Sequence, residues 1–229
     1  MRQIVAILGL KGGTGKSTIS VSLAKALRAK DKSVALLDLD FTSPCIQILA
    51  KPKTEISVDA QEGFTPAITE DDIEIFSIGL LTNEDTPMLL RGEKKGEIAQ
   101  QLIHDIKWNS PDFLIVDYPS GLQEQRLTIL RNMKPNKTIL VLQPDKLSIG
   151  SAKRMLKALK IMKVKVTGII ENMATVKCNK CGAEIKLYHD NIQELAKNLK
   201  VKVLGSIPFY PELKRNLPIS KEILDQVMK

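Results

Sequence analysis

A short apolar run, Ile4-Val5-Ala6-Ile7-Leu8, leads into Lys11-Gly12-Gly13-Thr14-Gly15-Lys16-Ser17-Thr18, and Ile19 to Leu27 follows with helical spacing. Strand, glycine loop and helix in that order build a phosphate cradle. The glycines let the backbone turn tightly, so that several N–H groups face one anion. The helix that follows adds its positive N-terminal dipole. In such a loop Lys16 reaches the β- and γ-phosphates of a nucleotide, and the Ser17 hydroxyl ligates Mg²⁺. The plain alternative is a glycine-rich turn with incidental lysines; the flanking strand and helix argue against it.

The strict pattern G-x-x-x-x-G-K-[ST] is not met, because Leu10 stands where its first glycine would fall. The match is to K-G-G-x-G-K-[ST]-T, with a second lysine, Lys11, ahead of the glycines. This loop resembles the deviant Walker A of the ParA, MinD and Mrp ATPases. The resemblance implies ATP as ligand, Gly12, Gly13, Thr14, Gly15, Lys16, Ser17 and Thr18 as its cradle, and Lys11 reaching across a homodimer to the partner's phosphates. Without the resemblance, Lys11 reads as an exposed loop lysine.

Apolar runs and helical patterns alternate along the chain. Strands are expected at Ile4–Leu8, Ser33–Asp38, Glu74–Ile78, Phe113–Asp117, Thr138–Leu142, Val166–Glu171 and Val203–Ile207. Helices are expected at Ser17–Ala29, Glu93–Ile106, Gln123–Met133, Ile149–Ile161, Ile192–Leu199 and Lys221–Met228. Continuous apolar strands between amphipathic helices imply an α/β fold, a three-layer P-loop NTPase with a mostly parallel central sheet and helices on both faces. Ligands then sit beyond the C-terminal strand ends. At 229 residues and 43% hydrophobic content, one P-loop ATPase domain over 1–229 accounts for the chain. The charged segment Leu49–Asp72, with weak periodicity, reads as a mobile surface excursion.

No stretch approaches the roughly 18 apolar residues of a membrane helix, and the chain opens on a core strand, with no signal peptide. Three cysteines, two of them close together, do not make a secreted disulfide framework. A cytoplasmic protein without a membrane partner is expected. The net charge of +8, from 34 basic and 26 acidic residues, permits weak binding to nucleic acid or anionic lipid. The lysines are scattered and aromatics are only 4% of the chain, which favours a solvated surface.

Two acidic groups stand at strand ends. Asp38 closes one strand and Asp40 lies just beyond it; Leu114-Ile115-Val116-Asp117 ends a second apolar run in a carboxylate. A carboxylate there faces Mg²⁺ and its waters, and Asp117 is assigned that role. Taken singly, each aspartate also reads as a cap or a turn residue. By resemblance to the ParA and MinD group, Asp40 orients the attacking water. Asp117-Tyr118-Pro119-Ser120-Gly121 looks like that family's D-x-P-x-G switch, with Ser120 where a second proline is common. Gly121 is the candidate to offer an amide to the γ-phosphate.

Cys178-Asn179-Lys180-Cys181-Gly182 spaces two thiols for one metal or cluster. Structural zinc, a redox dithiol and coincidence are the alternatives. A zinc or a [4Fe–4S] cluster usually takes four protein ligands, so a lone pair suggests completion by a second copy across a two-fold axis. The pair lies between Val176-Lys177 and Ile185-Lys186-Leu187-Tyr188, which reads as a small hairpin insertion at about 174–190.

Glu171-Asn172-Met173, the Cys-x-x-Cys-Gly, Ile185 to Tyr188 and Leu204-Gly205-Ser206-Ile207-Pro208 resemble the C-terminal half of the Mrp family. Asp38-Leu39-Asp40-Phe41-Thr42-Ser43-Pro44-Cys45, Arg91-Gly92 and Trp108-Asn109 resemble earlier segments of that family. The resemblance implies a homodimeric ATPase that carries or scaffolds iron–sulfur clusters, a bridging [4Fe–4S] cluster on Cys178 and Cys181, slow hydrolysis, and apo iron–sulfur proteins as recipients. It also implies Asn172 at the adenine edge and Pro208 lining the base pocket. Cys45 reads as a small buried residue rather than a ligand. The competing expectation is a ParA- or MinD-like positioning or partition ATPase acting on DNA or membrane, with structural zinc on the cysteines.

Overall fold

The computed structural model describes residues 2–59, 61, 63–81, 92–121, 124–189, 192–210 and 217–229. In chain order the elements are β1 Gln3–Leu8, α1 Lys16–Arg28, β2 Val34–Asp38, α2 Ile46–Ala50, β3 Ser57–Asp59, β4 Gly63–Thr65, β5 Ala67–Ile68 and β6 Glu74–Phe76. They continue as α3 Gly92–Asp105, β7 Phe113–Asp117, α4 Glu124–Met133, β8 Lys137–Leu142, α5 Lys146–Ile161, β9 Gly168–Lys177, β10 Glu184–Lys186, α6 Ile192–Leu199, β11 Val203–Phe209 and α7 Lys221–Met228. Arg91 and Gln123, named above on sequence grounds, lie outside the described residues.

Among the described residues one sheet runs β10-β9-β8-β1-β7-β2-β6-β5, with β11 also paired to β9. The ladders of β1, β2, β7, β8 and β9 with one another are parallel, and β6 and β11 join them in parallel. Only β5 and β10 are antiparallel to their neighbours among these strands. Strands β2 and β7 are buried along their whole length, as an apolar run covered on both faces must be. Alternate β1 residues feed two cores: Val5 and Ile7 join α1, α2 and α7, while Ala6 and Leu8 join residues of α3, α4, α5 and α6. Parallel strands with helices on both faces put every strand's C-terminal end on one edge.

Three expectations need correction. Leu49–Asp72 is not simply a surface excursion: β3 and β4 form a hairpin and β5 extends the main sheet, with Ala67 fully buried. Strands this short carry too few side chains to show a period-2 pattern. The strand expected to reach Ile78 stops at Phe76, because Ser77 caps a 3₁₀ turn over Ile78–Leu80. Helix α5 starts at Lys146, ahead of Ile149, because the Asp145 side chain accepts from the Leu147 and Ser148 amides. At 174–190 the chain forms a hairpin that continues β9, whose last residues pair with β10.

No helix among the described residues is long and apolar enough to cross a membrane. Helix α7 buries Ile223, Leu224 and Val227 in the core, so its apolar face is already used within the fold.

Candidate functional site

The glycine loop sits where the C-terminal end of β1 meets the N-terminus of α1. Gly15 occupies the N-cap with φ 84° and no side chain caps the helix, whose first turn carries no acid. The helix therefore presents its dipole and first-turn N–H groups to the loop. Gly12 and Gly13 are exposed, Thr14 is buried and Lys16 is 6% exposed. Two glycines are required sterically. A Cβ on Gly15 would come within 2.3 Å of Asn172 Nδ2, and one on Gly9 within 2.6 Å of Lys16 Cδ. Gly9, which the sequence pattern did not single out, is what lets the lysine stem pass.

The two loop lysines have different partners. Lys16 Nζ donates to Ser120 Oγ at 2.7 Å. Lys11 Nζ pairs with Asp145 at 2.7 Å within the same chain, rather than extending from the loop. Asp145, held by Lys11 and by the Ser148 hydroxyl and amide, has its carboxyl pulled down to about 2 despite the opposing effect of burial.

The metal-facing side is a pair of buried carboxylates. Register places Asp38 opposite Asp117 on neighbouring strands, and each is 1% exposed. Asp117 accepts from Ser17 Oγ at 2.5 Å and Ser20 Oγ at 3.2 Å. Asp38 accepts from the Asp40 amide at 2.9 Å and Ser77 Oγ at 3.0 Å. Burial first, then the charge of Asp117, pushes Asp38 up to about 8. Burial pushes Asp117 up to about 6, against the Ser17 hydrogen bond and Lys16. Two buried carboxylates beside a serine hydroxyl make a hard-oxygen donor set suited to Mg²⁺. Asp38 was legible only as a strand end; its partnership comes from register.

A buried carboxylate whose folded pKa is raised prefers its proton, so ionisation works against the fold. With no cation bound, stability should fall as pH rises from about 4 through about 6 and then about 8. Mg²⁺ with nucleotide should flatten this slope by replacing the proton with positive charge, and Asp38→Asn should flatten its upper part. Thermal melts across the range check this; a melting temperature independent of pH from about 5 to 8 would contradict the dyad.

Three further residues singled out in the sequence hold the loops around the site in this conformation. Gly121, at φ 104°, donates its N–H to the Gly9 carbonyl at 3.2 Å, so the amide is not open to a phosphate. Asn172 is 1% exposed and donates from Nδ2 to the Thr14 carbonyl at 2.8 Å, which braces the loop. Asp40 Oδ1 accepts from the Thr42 and Ser43 amides, each at 3.2 Å, and so holds its own turn. Pro208 is half-buried, one residue beyond Ile207, which pairs with Asn172.

A family model described as an iron-transfer P-loop NTPase of the NUBPL type, within the ParA group, matches residues 1–228. This chain belongs to the NUBPL iron-transfer P-loop NTPase family. The cytosolic Fe-S cluster assembly factor NUBP2 of Gallus gallus is 34% identical over 236 residues, spanning 100% of this chain and 87% of that protein. The Nubp2 homolog of Drosophila ananassae is 31% identical over 99% of this chain and 90% of its own length. Among solved structures, a nucleotide-binding protein of Archaeoglobus fulgidus in complex with ADP superposes with TM-score 0.75 at 27% identity, covering 98% of this chain and 85% of the other. The cell division ATPase MinD of Pyrococcus furiosus shares the fold, with TM-score 0.63 at 19% identity over 99% and 96% of the two chains.

In this NUBPL-family chain the cysteine pair stands on the β9–β10 hairpin. Cys178 N–H donates to Ala183 O at 2.8 Å, and Gly182 N–H returns to Cys178 O at 2.9 Å, with Gly182 at φ 73°. The backbone amides of Cys181 and Lys180 face the Cys178 sulfur and lower its pKa. Amides aimed at a sulfur favour thiolate, the form that binds metal. Cys178 is half-buried and Cys181 exposed. Among the described residues no three His, Cys, Asp or Glu gather to hold a metal ion.

Proposed function

We propose that this chain is an ATP-binding and ATP-hydrolysing carrier or scaffold for iron–sulfur clusters, acting as a homodimer in the cytosol, where its relatives' name places them. The observation that carries the reading is the joint presence, on one sheet, of a P-loop with its acidic dyad and a Cys178/Cys181 knuckle in which Cys178 is half-buried and Cys181 exposed. The whole chain works as one ATPase unit in this reading.

Lys16 binds the β- and γ-phosphates together with the amides of Gly12 to Thr18. Ser17 and Asp117, with Asp38 behind them, would hold Mg²⁺, which supplies positive charge against the phosphates. Asp40 orients the water that attacks the γ-phosphorus, and ADP leaves with the bridging oxygen. Pro208 forms one wall of the base pocket. Lys11 must leave Asp145 to reach the partner's phosphates, so dimerisation costs one ion pair per chain. The cluster is cargo: Cys178 and Cys181 of two copies supply four thiolates for a [4Fe–4S] cluster, passed on to apo iron–sulfur proteins.

Anaerobic reconstitution with iron and sulfide, followed by iron, sulfide and zinc analysis and sizing, tests the reading. About four irons per two chains, with a dimer that forms as the cluster loads, is the expected result. A protein that holds only zinc, or no metal, sinks the carrier reading and leaves a P-loop NTPase whose knuckle is structural.

A further inference from the structure

Lys16 is buried, and among the described residues its ammonium forms no ion pair. Its hydrogen bond is to a neutral hydroxyl, Ser120 Oγ, 104 positions along the chain, at 2.7 Å. That hydroxyl has one proton to give, and it donates it to the carbonyl oxygen of Lys11 at 3.0 Å. Ser120 therefore lies between the two lysines of the phosphate loop. Its backbone is placed on one side by Asp117, which closes β7, and on the other by the Gly121 amide on Gly9.

Phosphate oxygens seated on the loop must come to the Lys16 ammonium, within hydrogen-bond reach of the place Ser120 Oγ now occupies. The geometry points to Ser120 as a positioning residue that makes the site sense the γ-phosphate, an inference that rests on the nucleotide-binding reading. Without nucleotide it occupies the Lys16 ammonium. When ATP binds, Lys16 passes to the phosphates, and the Ser120 proton moves from the Lys11 carbonyl to a γ-phosphate oxygen. ADP breaks the same Lys16–Ser120 bond and offers no γ-oxygen in return. The hydroxyl thus penalises ADP more than ATP, and it frees the Lys11 segment only when the third phosphate is present.

The test is the ratio of Kd for ADP·Mg to Kd for AMPPNP·Mg on the full chain, by titration calorimetry, for wild type, Ser120→Ala and Ser120→Thr. Ser120→Ala should tighten ADP by the worth of one charge-assisted hydrogen bond and the ATP analogue by only that of a neutral one, so that the ratio falls about fivefold. Ser120→Thr keeps the hydroxyl and should restore the wild-type ratio. A ratio within about twofold of wild type in Ser120→Ala overturns the inference, as does a parallel weakening of both ligands, which is what a merely structural residue would give. If wild type binds neither ligand, the nucleotide reading falls and this inference with it; if wild type binds and the ratio stays put, only the role of Ser120 falls.

Discussion

Lys16→Met should abolish measurable nucleotide binding while leaving the nucleotide-free protein at least as stable as wild type. Lys16 is 6% exposed, and its ammonium is hydrogen-bonded to a neutral serine. Burying a charge that has no carboxylate in direct contact is unfavourable, and Asp117, whose pKa Lys16 lowers from nearby, offsets only part of that cost to the empty fold. Phosphate repays that cost when it arrives. Removing one partner of a buried, hydrogen-bonded charge pair costs about 2–5 kcal/mol, so the loss in Kd should be on the order of a hundredfold or more. Methionine keeps the stem that packs beneath Gly9, where even a Cβ would come within 2.6 Å of Lys16 Cδ. Lys16→Ala should lose binding equally but also empty that volume, and so melt lower than Lys16→Met. ADP·Mg titrations and melts of both variants measure this. A Lys16→Met protein that binds ADP within tenfold of wild type would remove Lys16, and the phosphate cradle with it, from the site.

Much of this site was legible in the sequence because its determinants are local. The strand-loop-helix order, the two loop lysines and Asp117 at the end of an apolar run each follow from a few neighbouring residues. The same holds for the sheet: runs such as Phe113–Asp117 are apolar throughout because both faces are covered. Pairings made by register or by loops meeting in space were not legible. Asp38 opposes Asp117 only because β2 and β7 align that way. Ser120 meets Lys16 across 104 residues. Asn172 reaches the Thr14 carbonyl across 158 residues, and so braces the loop. Helix α2 escaped notice because its five residues are too few to display a 3.6 period. One missed partner did leave a local signal: Asp145, just ahead of an amphipathic stretch, is the residue type that caps a helix.

Cys178→Ser alone should remove the cluster as completely as Cys178→Ala with Cys181→Ala, and Cys45→Ser should leave it in place. The difference follows from symmetry. Each chain brings two knuckle thiols, and four thiolates hold a [4Fe–4S] cluster. One substitution per chain therefore deletes two of the four ligands at a two-fold site. It also deletes the thiolate that the Cys181 and Lys180 amides favour. Cys45 lies elsewhere: it precedes α2, donates its thiol to Ser43 O at 3.2 Å, and packs against the α1-side core. Along the sheet, β2 is separated from β9 by β7, β1 and β8, roughly 19 Å at the usual strand spacing. Its thiol is pushed up in pKa by burial and by Asp38, away from the ligand form. Iron and sulfide content after anaerobic reconstitution, with ADP binding as the check on folding, separates the outcomes. Cys178→Ser protein that still takes up about four irons per dimer would show that the knuckle does not hold the cluster. Loss of iron in Cys45→Ser with ADP binding intact would put the ligand set on the wrong edge of the sheet.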